Sequence, residues 1–163
     1  MEEAPKKEDE GVRRRERISL LLDLNILLDV VQRREPFYGA SAAVLTMALD
    51  GSIRAFLPVH VFTTFYYVVR KADGKETAET FIDRLLSRLE VAPSGRAELR
   101  RARSLRMADF EDAVVACAAE AAGCSWIITR NEEDFGDSPV PAITPAEFLA
   151  YTAGKPFFTP SPE

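Results

Sequence analysis

Short apolar runs, each ending in a polar or acidic residue and each followed by a helical pattern, constrain this chain more than any other feature. Ile18-Ser19-Leu20-Leu21-Leu22 stops at Asp23, Ile53-Arg54-Ala55-Phe56-Leu57 at Pro58, and Ser125-Trp126-Ile127-Ile128-Thr129 at Arg130-Asn131. Runs this short and this apolar are what strands look like when both faces of a parallel sheet are covered. Leu89-Glu90-Val91 and Val140-Pro141-Ala142-Ile143 are weaker candidates, the second confined by its proline to a sheet edge. Helical spacing fills the intervals at Asn25–Gln32, Ala40–Leu49, Thr77–Arg88, Glu98–Arg106 and Phe110–Ala122. Val59–Arg70 is rich in β-branched and aromatic residues, yet its length suits a helix. Thr144-Pro145-Ala146-Glu147 opens the last helix with a cap, a proline at the first helical position and a Glu placed for a capping box. Strands alternating with helices predict an α/β fold, a three-layer α/β/α sandwich around a mostly parallel central sheet.

At 163 residues the chain suits one core, expected over 18–150. Residues 1–17 read as a charged, disordered arm and 151–163 as a Pro-rich tail. No apolar run is long enough for a spanning helix and the amino-terminal stretch is too charged for a secretory signal, so no membrane association is expected. The only cysteines, Cys117 and Cys124, offer no disulfide framework and read as buried apolar residues, which suits a cytoplasmic location. The net charge of -5 argues against holding nucleic acid by bulk electrostatics.

Ligands of an open parallel sheet bind beyond the carboxyl ends of its strands. Asp23 stands there after the first strand, and Asn131 and Asp134 after the Ser125–Thr129 strand. Asp109 and Asp112 open the alanine-rich helix at a spacing that puts them on neighbouring positions of one face, and Asp109 also reads as a helix cap. Acids from three segments converging on one edge, without His or Cys, suit a hard cation such as Mg²⁺ or Mn²⁺, able to activate water for phosphodiester hydrolysis. Gly-rich phosphate loops, the nucleophile elbow of serine hydrolases and zinc spacings are absent, and His60, the only histidine, reads as a helix-start or packing residue. A phospho-accepting receiver domain is disfavoured, because Asp23 stands alone after its strand and the late-strand Lys is missing.

The same residues resemble a known family. Leu22-Asp23-Leu24-Asn25 is similar to the opening L-D-T-N of PIN domains, Asp109-Phe110-Glu111-Asp112-Ala113 to their central D-x-x-D-A. Thr129-Arg130-Asn131-Glu132-Glu133-Asp134-Phe135 is similar to their T-R-N-x-x-D-F turn, and Thr144-Pro145-Ala146-Glu147-Phe148-Leu149 to their closing T-P-x-E-F-L. The likeness is to the bacterial branch that includes VapC-type toxins. It implies a Mg²⁺- or Mn²⁺-dependent endoribonuclease that cuts RNA through metal-activated water, commonly a homodimer and commonly neutralised by an antitoxin protein. By that resemblance Asp23, Asp112 and Asp134 are metal ligands, with Asp109 and Asn131 completing the catalytic set. Asn25, Thr129 and Thr64 would stand behind them, Asn25 orienting Asp23 through its amide. Arg106 and Arg130 are RNA-binding candidates, beside a basic run of Arg96, Arg100, Arg101 and Arg103.

Two departures stand out. Leu24 replaces a small hydroxyl residue, and the helix after the second strand lacks the family's Glu, Thr64 holding its place. The alternative is therefore a degenerate, non-catalytic PIN-like module that binds RNA or protein. The aromatic stretch Phe62, Phe65, Tyr66 and Tyr67 offers surface for a dimer face or an antitoxin groove, as well as for core.

Overall fold

The computed structural model describes residues 18–154, so the expected amino-terminal arm and residues 155–163 of the expected tail lie outside the described residues. Five strands, β1 (Ser19–Leu22), β2 (Arg54–Leu57), β3 (Glu90–Val91), β4 (Trp126–Ile128) and β5 (Ala142–Ile143), form one sheet in the order β3-β2-β1-β4-β5. Every pairing is parallel, with Leu20, Leu21 and Leu22 of β1 opposite Trp126, Ile127 and Ile128 of β4. Among the described residues seven α-helices surround it: α1 (Leu24–Val31), α2 (Tyr38–Asp50), α3 (Val59–Asp73), α4 (Lys75–Arg88), α5 (Arg96–Ser104), α6 (Phe110–Ala121) and α7 (Pro145–Thr152).

Alternation along the strands builds two cores. Leu20, Leu22, Leu57, Ile128 and Ile143 face a layer in which α1, α2, α3, α4 and α7 bury Ile26, Val44, Phe65, Leu85 and Phe148. Leu21, Phe56 and Ile127 face the opposite layer, where α6 contributes Val115, Ala116, Ala118 and Ala119. Small side chains let α6 lie close against the sheet, as its alanine pattern predicts. Helix α5 lies outside α6, resting Ala102 on Ala113 and Cys117.

The segment from Val59 is a helix because burial overrides local β-propensity: Val61, Phe65 and Val69, four residues apart, are all buried. Helix α5 begins two residues before the expected Glu98, since the Glu98 carboxylate reaches back to accept from the Gly95 N–H at 2.7 Å. It ends at Ser104, which leaves Arg106 in the connection to α6. The capping box expected at α7 is present, with Glu147 accepting from both the Thr144 N–H and hydroxyl at 2.8 and 2.7 Å. Both cysteines are free and buried, and burial pushes the Cys124 thiol up to about 12. Among the described residues no helix is long and apolar enough to cross a membrane.

Candidate functional site

Strand order reverses at β1, whose neighbours are β2 on one side and β4 on the other, and the crevice of such a sheet lies beyond the carboxyl ends of the strands at that point. Asp23 follows β1 and Thr129 follows β4, held together when the Asp23 N–H donates to Ile128 O at 3.0 Å. The Asp23 carboxylate also caps α1, one oxygen accepting from the Leu24 N–H at 2.7 Å. Its other oxygen accepts from the Thr129 hydroxyl at 3.1 Å and, more weakly, from the Asn25 amide at 3.5 Å. Burial pushes the Asp23 carboxyl up from its ordinary range, against the opposing pull of those donors and of nearby His60.

The second carboxylate arrives on α6. Asp109 caps this helix, its Oδ1 accepting from the Glu111 and Asp112 N–H groups at 2.7 and 3.2 Å. That capping turns Asp112 inward from the first turn. Desolvation, followed by the charges of Asp109, Asp134, Asp23 and Glu111, pushes Asp112 up to about 6. Carboxylates from three stretches of chain thus bear on Asp112. Asp134 reaches the cluster from a single 3-10 turn, Glu132–Phe135, and the preceding Asn131 is exposed, its N–H donating to the Thr129 hydroxyl at 3.2 Å. Thr129 therefore ties both segments together; replacing it with Val removes one of the donors that hold the Asp23 carboxyl down and should raise its pKa further, measurable by NMR titration.

Two residues hold positions that sequence reasoning missed. His60 does begin α3 as expected, but its Nε2 lies 3.5 Å from a Glu111 carboxylate oxygen at the edge of the cluster. Asp29, wholly buried in α1, accepts from the Ser41 hydroxyl at 2.9 Å and stands 3.2 Å from Arg130 Nη1. An acid on an otherwise apolar helix face was the available signal, since such a charge needs a buried partner. Arg130 also donates to Asn25 Oδ1 at 3.1 Å and lies 4.5 Å from the Phe37 ring centroid. Its guanidinium is mostly engaged inside the protein, behind Asn25, and not displayed toward solvent like Arg106. Thr64 is exposed one turn beyond His60, and its hydroxyl bonds to none of the carboxylates among the described residues.

A family model described as a PIN domain matches residues 19–133, most of the chain. The chain belongs to the PIN-domain family. Ribonuclease VapC1 of Aquifex aeolicus is 27% identical over 134 residues, covering 79% of this chain and 92% of that protein. The PIN fold recurs, at 19% identity and a TM-score of 0.59, in a structure of VapBC2 from Rickettsia felis bound to a DNA fragment from their promoter, over 78% of this chain and 98% of that one. It recurs again in a toxin–antitoxin complex from Klebsiella pneumoniae, at 18% identity and a TM-score of 0.60, over 77% and 97% of the two chains.

Among the described residues no three His, Cys, Asp or Glu side chains come close enough to close on an ion together. The donor chemistry of this PIN domain still fits Mg²⁺ or Mn²⁺. The side chains are oxygen donors, Asp112 is crowded by like charge that a cation would relieve, and Mg²⁺ keeps several waters while taking only one or two carboxylates.

Proposed function

We propose that this PIN domain is a divalent-metal-dependent endoribonuclease and the toxin of a toxin–antitoxin pair. The observation carrying this reading is the convergence of Asp23, Asp109 and Asp134 on Asp112 near the switch point of the sheet, where their like charge raises its pKa. Asp23 and Asp112 would hold the ion, with Asp134 beside them; when bound, Mg²⁺ or Mn²⁺ would supply an activated water and charge neutralisation at the scissile phosphate. The protein contributes placement. Thr129 and the Leu24 N–H fix the Asp23 carboxylate, the Asp109 cap fixes Asp112, and Asn131 stands exposed where a phosphate or ribose hydroxyl would lie. Single-stranded RNA is the expected substrate, cleaved with Mn²⁺ and spared in EDTA.

An apolar cleft of about 300 Å³ between α1, α2, α3 and α4, lined by Leu27, Val31, Leu45, Phe65, Phe81 and others, supports an antitoxin partner that lays an amphipathic helix there. The relatives whose names carry VapBC or toxin–antitoxin support the same partner. Tyr67 is 66% exposed on α3, which favours the outer side of that helix as the face of a homodimer.

One observation favours a second reading, a non-catalytic binding module: among the described residues the acids do not close as a three-ligand group, and by the resemblance Thr64 takes the place of the family's Glu. Thr64→Glu should raise Mn²⁺ affinity at least tenfold in calorimetry. Tight Mn²⁺ binding by the natural protein removes the basis for the non-catalytic reading, whereas no binding by either form removes the basis for the nuclease.

A further inference from the structure

The outer side of α5 carries a positive, partly apolar strip that the carboxylate centre leaves unused. Arg96, Leu99, Arg100 and Arg103 recur at helical spacing and so share one face. With Ser94, Gly95 and Phe110 they line a shallow groove of about 580 Å³. The other side of the helix is taken up by packing, Ala102 against α6, and by Arg101, which pairs with Glu120 at 3.1 and 3.3 Å. Among the described residues Arg96, Arg100 and Arg103 form no salt bridge. Leu99 and Phe110 are 43% and 48% exposed, so neither ring nor side chain serves the core. Phe110 opens α6 between Asp109 and Glu111, so the groove reaches the helix that carries Asp112.

We propose that this groove carries the RNA strand beyond the cleaved bond, with Arg96, Arg100 and Arg103 on successive phosphates and Phe110 stacked on a base. This rests on the ribonuclease reading above. Guanidinium groups bind phosphate oxygens through paired N–H donors, and an exposed aromatic ring stacks on any base. Arg96 to Arg103 covers about 10 Å along the helix axis, comparable with two phosphate steps of an extended single strand. A second copy of the chain is a poor occupant, because a twofold contact would set three arginines against three. The acidic total of -5 is no obstacle, since the positive charge is gathered where the strand would run.

The test compares the wild-type chain with the triple variant Arg96→Gln, Arg100→Gln, Arg103→Gln and with Phe110→Ala. Binding of a fluorescein-labelled U20 RNA is followed by anisotropy in EDTA at several salt concentrations, and Mn²⁺-dependent cleavage is measured on U20 and on a UUU trinucleotide. Each phosphate contact contributes about 0.7 to the salt slope, so the triple variant should lose about 2 from it. Phe110→Ala should weaken binding on the order of tenfold with the slope unchanged. Trinucleotide cleavage should stay within twofold in the triple variant while KM for U20 rises. An unchanged slope and unchanged KM, with wild-type cleavage intact, overturn the groove and spare the nuclease. A wild-type chain that neither binds nor cuts RNA overturns both. Sedimentation showing that the triple variant dissociates a dimer and loses trinucleotide cleavage makes the face a contact between copies and also overturns the proposal.

Discussion

Asp112→Asn is expected to abolish RNA cleavage and, in the same protein freed of metal, to raise the melting temperature. Asp112 carries a carboxyl pushed up to about 6 by desolvation first and then by Asp109, Asp134, Asp23 and Glu111. A raised folded-state pKa means that the group favours the fold fully below its unfolded value near 4 and that this contribution is lost as pH rises through about 6. At pH 7.5 the metal-free protein therefore holds a charge the fold resists. Asp112 is partly open to solvent, so screening reduces the cost to on the order of 1 kcal/mol, or about 3 °C in Tm. The asparagine removes that cost together with the proposed metal ligand. The Tm gap between variant and wild type should be absent below pH 4, grow between pH 4 and 6 and be complete above about pH 6 in EDTA scans. Cleavage by the wild type should fall as pH is lowered, with a midpoint below that of the metal-free group because a bound ion favours the carboxylate. Asp23→Asn should share the loss of cleavage. Full activity in either variant would remove these residues from the site, and a lower Tm for Asp112→Asn above pH 6 would show that the carboxylates do not crowd one another.

Asp29→Ala is expected to have the largest effect on stability. Asp29 is wholly buried and faces Arg130 at 3.2 Å while accepting from Ser41. Removing one member of a buried ion pair leaves its partner uncompensated, at a cost of about 2–4 kcal/mol here because Arg130 keeps some solvent access. That amounts to roughly 10 °C in Tm by thermal denaturation. The damage should reach the chemistry too. Arg130 also donates to Asn25, whose amide in turn faces Asp23, so a loosened guanidinium frees the carboxylate. Ser41→Ala, which removes one neutral donor, should cost only about 1 kcal/mol and leave cleavage nearly intact. Equal melting temperatures for the Asp29→Ala variant and the wild type would mean that the pair does not anchor the site.

The contrast between these two residues shows what the sequence makes legible. Asp23, Asp112 and Asp134 follow structural punctuation, one after an apolar strand, one in the first turn of a small-residue helix, one in the turn after another strand. Local pattern locates such positions because strand ends and helix starts are written in local hydrophobicity and capping chemistry. The sheet was legible for the same reason: Leu20, Leu21 and Leu22 are apolar on both faces, and both faces are covered. Asp29 had no such marker beyond being an acid among apolar residues, and its partner lies far along the chain. Arg130 sits within the recognisable turn after β4, but only the folding of α1 and Phe37 beside that turn gives its guanidinium Asn25, Asp29 and Phe37 as neighbours. His60 likewise reads as a helix start, and only the approach of α6 brings Glu111 to it. Boundaries moved where a side chain reached back, as Glu98 does to Gly95.

The proposed chemistry requires an ion at the switch point of the sheet, held by Asp23 and Asp112. Anomalous scattering from a crystal soaked in Mn²⁺ measures this directly. A single strong peak within coordination distance of both carboxylates, lost in Asp112→Asn, is the predicted result. A Mn²⁺ peak elsewhere, or none in a protein that still cuts RNA, would contradict it.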